Sequence, residues 1–275
     1  MAELKAEAAQ LLRSIVQEYE DTKSLGSFSC TVYDTAWVSM LTKVVDGKQI
    51  WLFPSSFQYV LNSQQSDGSW VKYGSEIDGI MNTAAGLLAL CRHRSTHHQL
   101  DDRIPLDLDL RVIRAEAALR QRLEAWEVEA TLHVGYEVLV PAMLSLLEEV
   151  GFAFDFPGRQ HLLDLHGQKM ARFHPSMLYH KQQYSALHSL EAFVGKVDFD
   201  RLKHHTRFGS MLASPSSTAA YLMYGTHWDI ESESYLRRVI SNGEGKGCGG
   251  VPSAFPSTNF DIIWVSTYNS DWRRL

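Results

Sequence analysis

Asn82-Thr83-Ala84-Ala85-Gly86-Leu87-Leu88-Ala89-Leu90-Cys91 is a run of small and apolar side chains with no charge and one internal glycine. Such a stretch reads as a helix buried against other helices, because it offers no polar face to water. The neighbouring segments carry helical periodicity as well. Leu4, Ala8, Leu11, Leu12, Ile15 and Tyr19 recur at three- and four-residue steps and form one apolar stripe. Leu108 to Trp126 is amphipathic and rich in Ala, Arg and Glu. Tyr136 to Val150 is strongly apolar and stops at Gly151, a fitting C-terminal cap; Pro141 lies near its first turn, where a missing N–H does least harm. Tyr184 to Val194 ends before Gly195 in the same way. Ser217 to Tyr224 follows a Ser-Pro-Ser start signal, and Ser232 to Ile240 runs into Asn242-Gly243. Strand signals are weak: Val32 to Val45 has β-branched residues, but Asp34, Thr35 and Ala36 interrupt the alternation. The pattern predicts an all-α fold of roughly ten helices. Asp67-Gly68-Ser69-Trp70 and Phe208-Gly209-Ser210-Met211 each precede a helix rich in small residues. That echo suggests an α-barrel, or toroid, of helical hairpins.

Composition narrows the function. The 275 residues suit one large domain or two ordinary ones, and 45% hydrophobic content excludes disorder as the main state. With 26 basic against 32 acidic residues, the net charge of −6 argues against a general nucleic-acid partner. The N-terminus has no apolar run after a basic start, so no signal peptide is expected, and no stretch is apolar enough to span a membrane. Cys30, Cys91 and Cys248 are odd in number and far apart, which fits free thiols in a reducing compartment. These features together place the protein in the cytoplasm.

Common catalytic signatures are incomplete. Gly245, Gly247 and Gly250 satisfy a GxGxxG string, but a helix precedes it and Pro252 follows, so the dinucleotide context fails. His93 and His97 sit four apart without an HExxH; His161 and His166, or His204 and His205, have no third ligand nearby. Solvated or core-satisfied histidines are the plainer reading of all six. Asp101-Asp102 and Asp107/Asp109 flank a proline loop and read as turn and N-cap residues; Glu148-Glu149 reads as a solvated helix edge. Asp198 and Asp200 specify nothing alone.

Four segments taken together are more specific. Ser29-Cys30-Thr31-Val32-Tyr33-Asp34-Thr35-Ala36-Trp37-Val38 resembles the signature that opens class II diterpene cyclases. Tyr59-Val60, Gln64 and Gly68-Ser69-Trp70 resemble a QW motif, in which Gln bonds a neighbouring helix end, Gly permits the turn and Trp covers the junction. Leu187-His188-Ser189-Leu190-Glu191 with Ser214-Pro215-Ser216-Ser217-Thr218-Ala219 makes the third. Gly249-Gly250-Val251-Pro252-Ser253-Ala254-Phe255-Pro256 makes the fourth. In this order they resemble copalyl diphosphate synthases, and the fungal bifunctional copalyl diphosphate/ent-kaurene forms more than the plant ones.

The resemblance implies a γ-type helical domain at residues 23–265, a first β-type helix at 1–22, and a divergent tail at 266–275. It implies geranylgeranyl diphosphate as substrate, isomerase or lyase chemistry, and Mg2+ in the parent family. His188 matches the family histidine that helps a water take the last proton; a plain core histidine is the alternative. The family's partner asparagine is Ser253 here. Lys169 matches a lysine that contacts the substrate diphosphate, with a solvated lysine as the alternative. The family's acidic magnesium site survives only as Glu127 and Glu129. No DxDD and no DDxxD string occurs; Asp107-Leu108-Asp109-Leu110 is the nearest. The chain is therefore expected to be a truncated cyclase, inactive alone, that needs a missing β domain or self-associates. A non-catalytic helical interaction module or relic is the other reading.

Overall fold

The computed structural model describes residues 2–22, 26–100, 107–245, 247–258 and 260–261. The helices are α1 (Ala2–Thr22), α2 (Val32–Ser39), α3 (Pro54–Ser63), α4 (Glu76–Leu100), α5 (Leu108–Glu124), α6 (Tyr136–Glu149), α7 (Arg159–Met170), α8 (Pro215–Tyr224) and α9 (Ile230–Asn242). Three two-stranded ribbons join them: β1 (Cys30–Thr31) with β6 (Val251–Pro252), β2 (Thr42–Val45) with β3 (Lys48–Trp51), and β4 (Thr206–Arg207) with β5 (Ser210–Met211), all antiparallel.

The helices form two layers. In the inner ring α2 packs on α4 and α4 on α6. The ring continues from α6 to the 3-10 segment Ser185–Phe193, then to α8, and closes on α2. Outside it, α3, α5, α7 and α9 lie against α2, α4, α6 and α8. Burial follows the layers. Every residue of α8 from Pro215 to Leu222 is buried, whereas α5 buries only Leu108, Val112, Ala115, Ala118, Leu119 and Leu123. The all-α barrel of helical hairpins inferred from the sequence is the fold.

One turn recurs three times around the ring. Gly68, Gly209 and Gly249 adopt φ of 89°, 82° and 92°, and a Cβ on each would collide with the backbone of Arg114, Glu231 and Ser55 respectively. Only glycine meets both demands. Two residues on, the backbone N–H of Trp70, Met211 and Val251 donates to the Oγ1 of Thr83, Thr218 and Thr35, at 3.3, 3.0 and 2.9 Å. Each of these threonines lies on an inner helix and is followed by alanine. The third turn docks on the first inner helix, so it fastens the ring shut. Thr218→Val keeps the shape and removes the acceptor for a buried N–H. The expected loss is about 1–3 kcal/mol of unfolding free energy. Urea denaturation measures it, and a loss too small to detect would mean the turn is held by other contacts.

Three local expectations need correction. The weak strand signal of Val32–Val45 is split between two elements: Thr31 caps α2, and Thr42–Trp51 is a true hairpin whose tip, Asp46-Gly47, takes positive φ. Tyr184–Val194 is not a regular helix; it is a 3-10 segment kinked at Ser189, with φ −133° and ψ 43°. Asp107 stands at the N-cap of α5 without a capping bond, and its carboxylate accepts instead from Arg111 Nε at 2.9 Å. Asp101, Asp102 and the 266–275 tail lie outside the described residues. On α1, Leu4 and Leu11 are 58% and 54% exposed. Among the described residues no helix is long and apolar enough to cross a membrane.

Candidate functional site

Three of the four signature segments meet at one end of the barrel. Strand β1, from the first segment, pairs with β6, from the last, with Cys30 opposite Pro252 and Thr31 opposite Val251. Thr31 then starts α2: its Oγ1 accepts from Asp34 N and donates to Asp34 Oδ2 at 2.6 Å, a reciprocal cap. Next to it, the carboxyl of Glu191 accepts three hydroxyl hydrogen bonds. They come from Tyr33 at 3.0 Å, Ser216 at 3.1 Å and Ser217 at 2.8 Å. Ser217 Oγ also accepts from Leu190 N at 2.8 Å. Three stretches distant in sequence thus share one buried polar cluster, and β6 brings a fourth beside the first.

Its electrostatics are unusual. Glu191 and Asp34 are 2% and 4% exposed. Burial pushes the Glu191 carboxyl up to about 7; its own backbone N–H and the Ser217 and Tyr33 hydroxyls hold it down, and the Asp34 charge adds to the rise. Burial raises Asp34 as well, against hydrogen bonds from Thr31 and Ser216 and the nearby charge of His188. The first turns of α2 and α8 border the cluster, and the positive ends of the two helix dipoles favour negative charge there. The setting is dry, and burial raises the proton affinity of both carboxyls. Sequence reading missed both. The available signal was a lone acid in the apolar run Leu187–Phe193 and another immediately before Thr35-Ala36-Trp37.

His188 is half-buried, and its Nδ1 donates to Leu212 O at 3.0 Å. Ser253 is also half-buried, and two residues later Phe255 N donates to Ala213 O at 2.9 Å. The two segments are thus tied to consecutive carbonyls. The glycine loop lies against β1: a Cβ on Gly245 or Gly250 would press on Cys30 Sγ.

Lys169 sits elsewhere, against α6, with Nζ 2.9 Å from Glu137 Oε1. Burial would raise the Glu137 carboxyl, but the Lys169 ammonium and backbone N–H groups hold it below the usual range. The Glu137 carbonyl accepts from His166 Nδ1 at 2.9 Å, and Lys196 Nζ lies 3.2 Å from His166 Nε2. His166, Lys196 and Glu191 line a cavity of about 270 Å³ between α6 and α7. Glu127 precedes the short 3-10 turn Val128–Ala130 and Glu129 lies within it; both are exposed, and Glu129 Oε1 lies 4.0 Å from His161 Nδ1. Among the described residues no three His, Cys, Asp or Glu side chains converge on a metal position. His93 is a core residue, stacked between Trp51 and Phe57 with Nε2 2.9 Å from Ser39 O, and burial drives it down to about 3.

No family model matches the chain. Curated relatives do. It is 50% identical over 262 residues to the copalyl diphosphate synthase of Talaromyces verruculosus, across 95% of this chain and 27% of that one. It is 46% identical to the phyllocladan-16-alpha-ol synthase of Phomopsis amygdali, across 94% and 26%. The bifunctional ent-kaurene synthase of Gibberella fujikuroi is 45% identical across 94% and 27%. Among solved structures, ent-copalyl diphosphate synthase from Arabidopsis thaliana superposes with a TM-score of 0.70 at 28% identity, over 94% of this chain and 35% of that one. Abietadiene synthase from Abies grandis, at 23% identity and a TM-score of 0.71 over 98% and 36%, shares the fold. The chain spans about a quarter of the length of the curated relatives it matches. Over nearly all of its own length it is homologous to one helical segment of the fungal diterpene cyclases of the copalyl diphosphate synthase kind.

Proposed function

We propose that this chain is the γ-type helical part of a class II diterpene cyclase, residues 23–265, preceded by a β-type helix at 1–22. The parent reaction is protonation-initiated cyclisation of geranylgeranyl diphosphate to a copalyl diphosphate, an isomerase step in the cytoplasm. The observation that supports it most is the meeting of three of the four signature segments at one barrel end, in a chain 50% identical to about a quarter of a copalyl diphosphate synthase. In this reading His188 and Ser253 hold the water that accepts the last proton. Imidazole suits that work near neutral pH, and a hydroxyl can both donate and accept. Lys169 would meet the substrate diphosphate by exchanging its bond to Glu137 for one to phosphate oxygen.

The 275 residues contain no DxDD and no DDxxD. No cyclisation by the isolated chain is therefore expected. Incubation with geranylgeranyl diphosphate and magnesium, then dephosphorylation and gas chromatography, checks this; copalol above the no-enzyme background overturns it. Adding a separate β-domain chain that carries DxDD is expected to restore copalol. Failure of restoration, with both chains folded, favours the second reading, a non-catalytic helical interaction module.

The α1 stripe bears on the same choice. Leu4 and Leu11 are exposed, and each forgoes roughly 1.5–3 kcal/mol of burial. The full chain is expected to self-associate or to bind a β-domain partner, and a chain lacking residues 1–22 to stay monomeric. Light scattering decides it. Equal mass and equal stability of the two would show that α1 is no interface.

A further inference from the structure

Leu212 and Ala213 are consecutive non-glycine residues with positive φ, 49° and 57°. Side chains with a Cβ are disfavoured there, and such conformations persist only where the surroundings over-determine them. The surroundings are visible. Ala213 N donates to Ser210 Oγ at 3.3 Å, and Ser214 N donates to Met211 O at 3.0 Å. Ser214 caps α8 immediately afterwards, accepting from Ser217 N. The turn is thus clamped between β5 and α8. It presents two successive carbonyls to different parts of the chain, Leu212 O to His188 Nδ1 and Ala213 O to Phe255 N.

We infer that the strained Leu212-Ala213 turn is a positioning device, which fixes His188 as the Nδ1–H tautomer and holds the Ser253–Phe255 segment beside it. A carbonyl oxygen can only accept, so the ring nitrogen that meets Leu212 O carries the proton, and Nε2 is left as the basic nitrogen. In water free imidazole of histidine favours the opposite tautomer, so the turn reverses a default. The far side of His188 is anchored too. Past the kink at Ser189, Leu190 N and the Glu191 carboxyl are bound by Ser216 and Ser217 at the start of α8. Both ends of the histidine segment are therefore referred to the same helix start. A ring held in this way cannot change its accepting nitrogen without breaking Leu212 O. The chemical use of the basic Nε2, as the water-activating base, rests on the function proposed above; the tautomer itself does not.

The test uses nitrogen-15 spectra of the histidine side chains in the full chain, with His188 assigned by its loss in His188→Gln. The wild type is expected to show His188 mainly as the Nδ1–H form and to protect the Phe255 amide from exchange. A wild type with mainly Nε2–H overturns the inference outright. Ala213→Pro forces φ back to about −65°, so in a folded variant the Nδ1–H form should fall at least severalfold and Phe255 should exchange faster. A folded Ala213→Pro with both signals unchanged also overturns it. Ala213→Gly keeps the left-handed turn and relieves the Cβ penalty, so its unfolding midpoint should rise with both signals kept. A lowered midpoint means the turn is not strained and sinks the proposal even where Ala213→Pro does not fold. The cyclase complementation assay is independent: its failure with the tautomer intact removes the reaction and leaves the positioning.

Discussion

Trp70→Ala is expected to lower the unfolding free energy by about 3–5 kcal/mol, the range for removing a large buried ring. The indole is fully buried, and its Nε1 donates to Val60 O at 2.9 Å, near the end of α3. Its ring lies against Gly86 of α4: a Cβ built there falls 2.8 Å from three ring atoms. Alanine would leave a cavity between two hairpins and an unpaired Val60 carbonyl. The same contact gives an inverted result at Gly86. In an ordinary helix interior Gly→Ala gains about 1 kcal/mol. Here the methyl meets the indole, so Gly86→Ala should instead lose about 1–3 kcal/mol through overpacking. Urea denaturation of both variants is the measurement. A stabilised Gly86→Ala would show that the ring is not seated on that glycine. Gln64 completes the junction, with Nε2 donating to Gly68 O at 3.0 Å and to Arg111 O at 3.1 Å. The QW segment is thus a structural brace, as its resemblance implied.

Glu191→Gln should stabilise the protein progressively as pH rises from about 4.5 to 7, by on the order of 3 kcal/mol at the upper end. The sign follows from burial, which raises this carboxyl from 4.5 to about 7. Between those values the folded state keeps the proton and the unfolded state releases it. The contribution of the protonated acid is therefore complete below 4.5 and is lost as pH climbs through 7. Glutamine stays neutral: its Oε1 can still accept from Tyr33 and Ser216, while its Nε2 would donate to Ser217 Oγ. Asp34, also raised by burial, acts in the same sense. His93 acts in the opposite sense: burial lowers it from 6.5 to about 3, so its stability is complete above 6.5 and falls as pH drops. The two effects overlap in the wild-type curve, so the difference between variant and wild type is the informative quantity. Chemical denaturation at pH 5 and pH 8 measures it. A pH-independent difference would mean that Glu191 is ionised at both values and that a counter-charge serves the cluster.

These two residues show where reading the chain succeeds and where it stops. Trp70 was legible because its demands are local: glycine two residues earlier, a turn, and a helix of small residues just after it. The same locality let the sequence determine the helical class, the stripe on α1, the apolar α6 and the brace between α3 and α4. The Gly-Ser-Trp and Gly-Ser-Met echo was visible too. Its third copy, at Gly249–Val251, was not recognised, because that turn docks on α2, more than two hundred residues earlier. Only closure of the ring makes it a repeat. Glu191 and Asp34 were illegible for a related reason. Each is an ordinary acid in its own segment, and the shift arises because three other elements exclude water and supply hydroxyls. Likewise His188 could be named from its segment. Its tautomer was decided by a carbonyl from a turn twenty-four residues away, held left-handed by α8. Helical periodicity and turn chemistry are set by neighbours along the chain. Burial, proton affinity and hydrogen-bond direction depend on which distant groups exclude water, and the tertiary structure alone settles them.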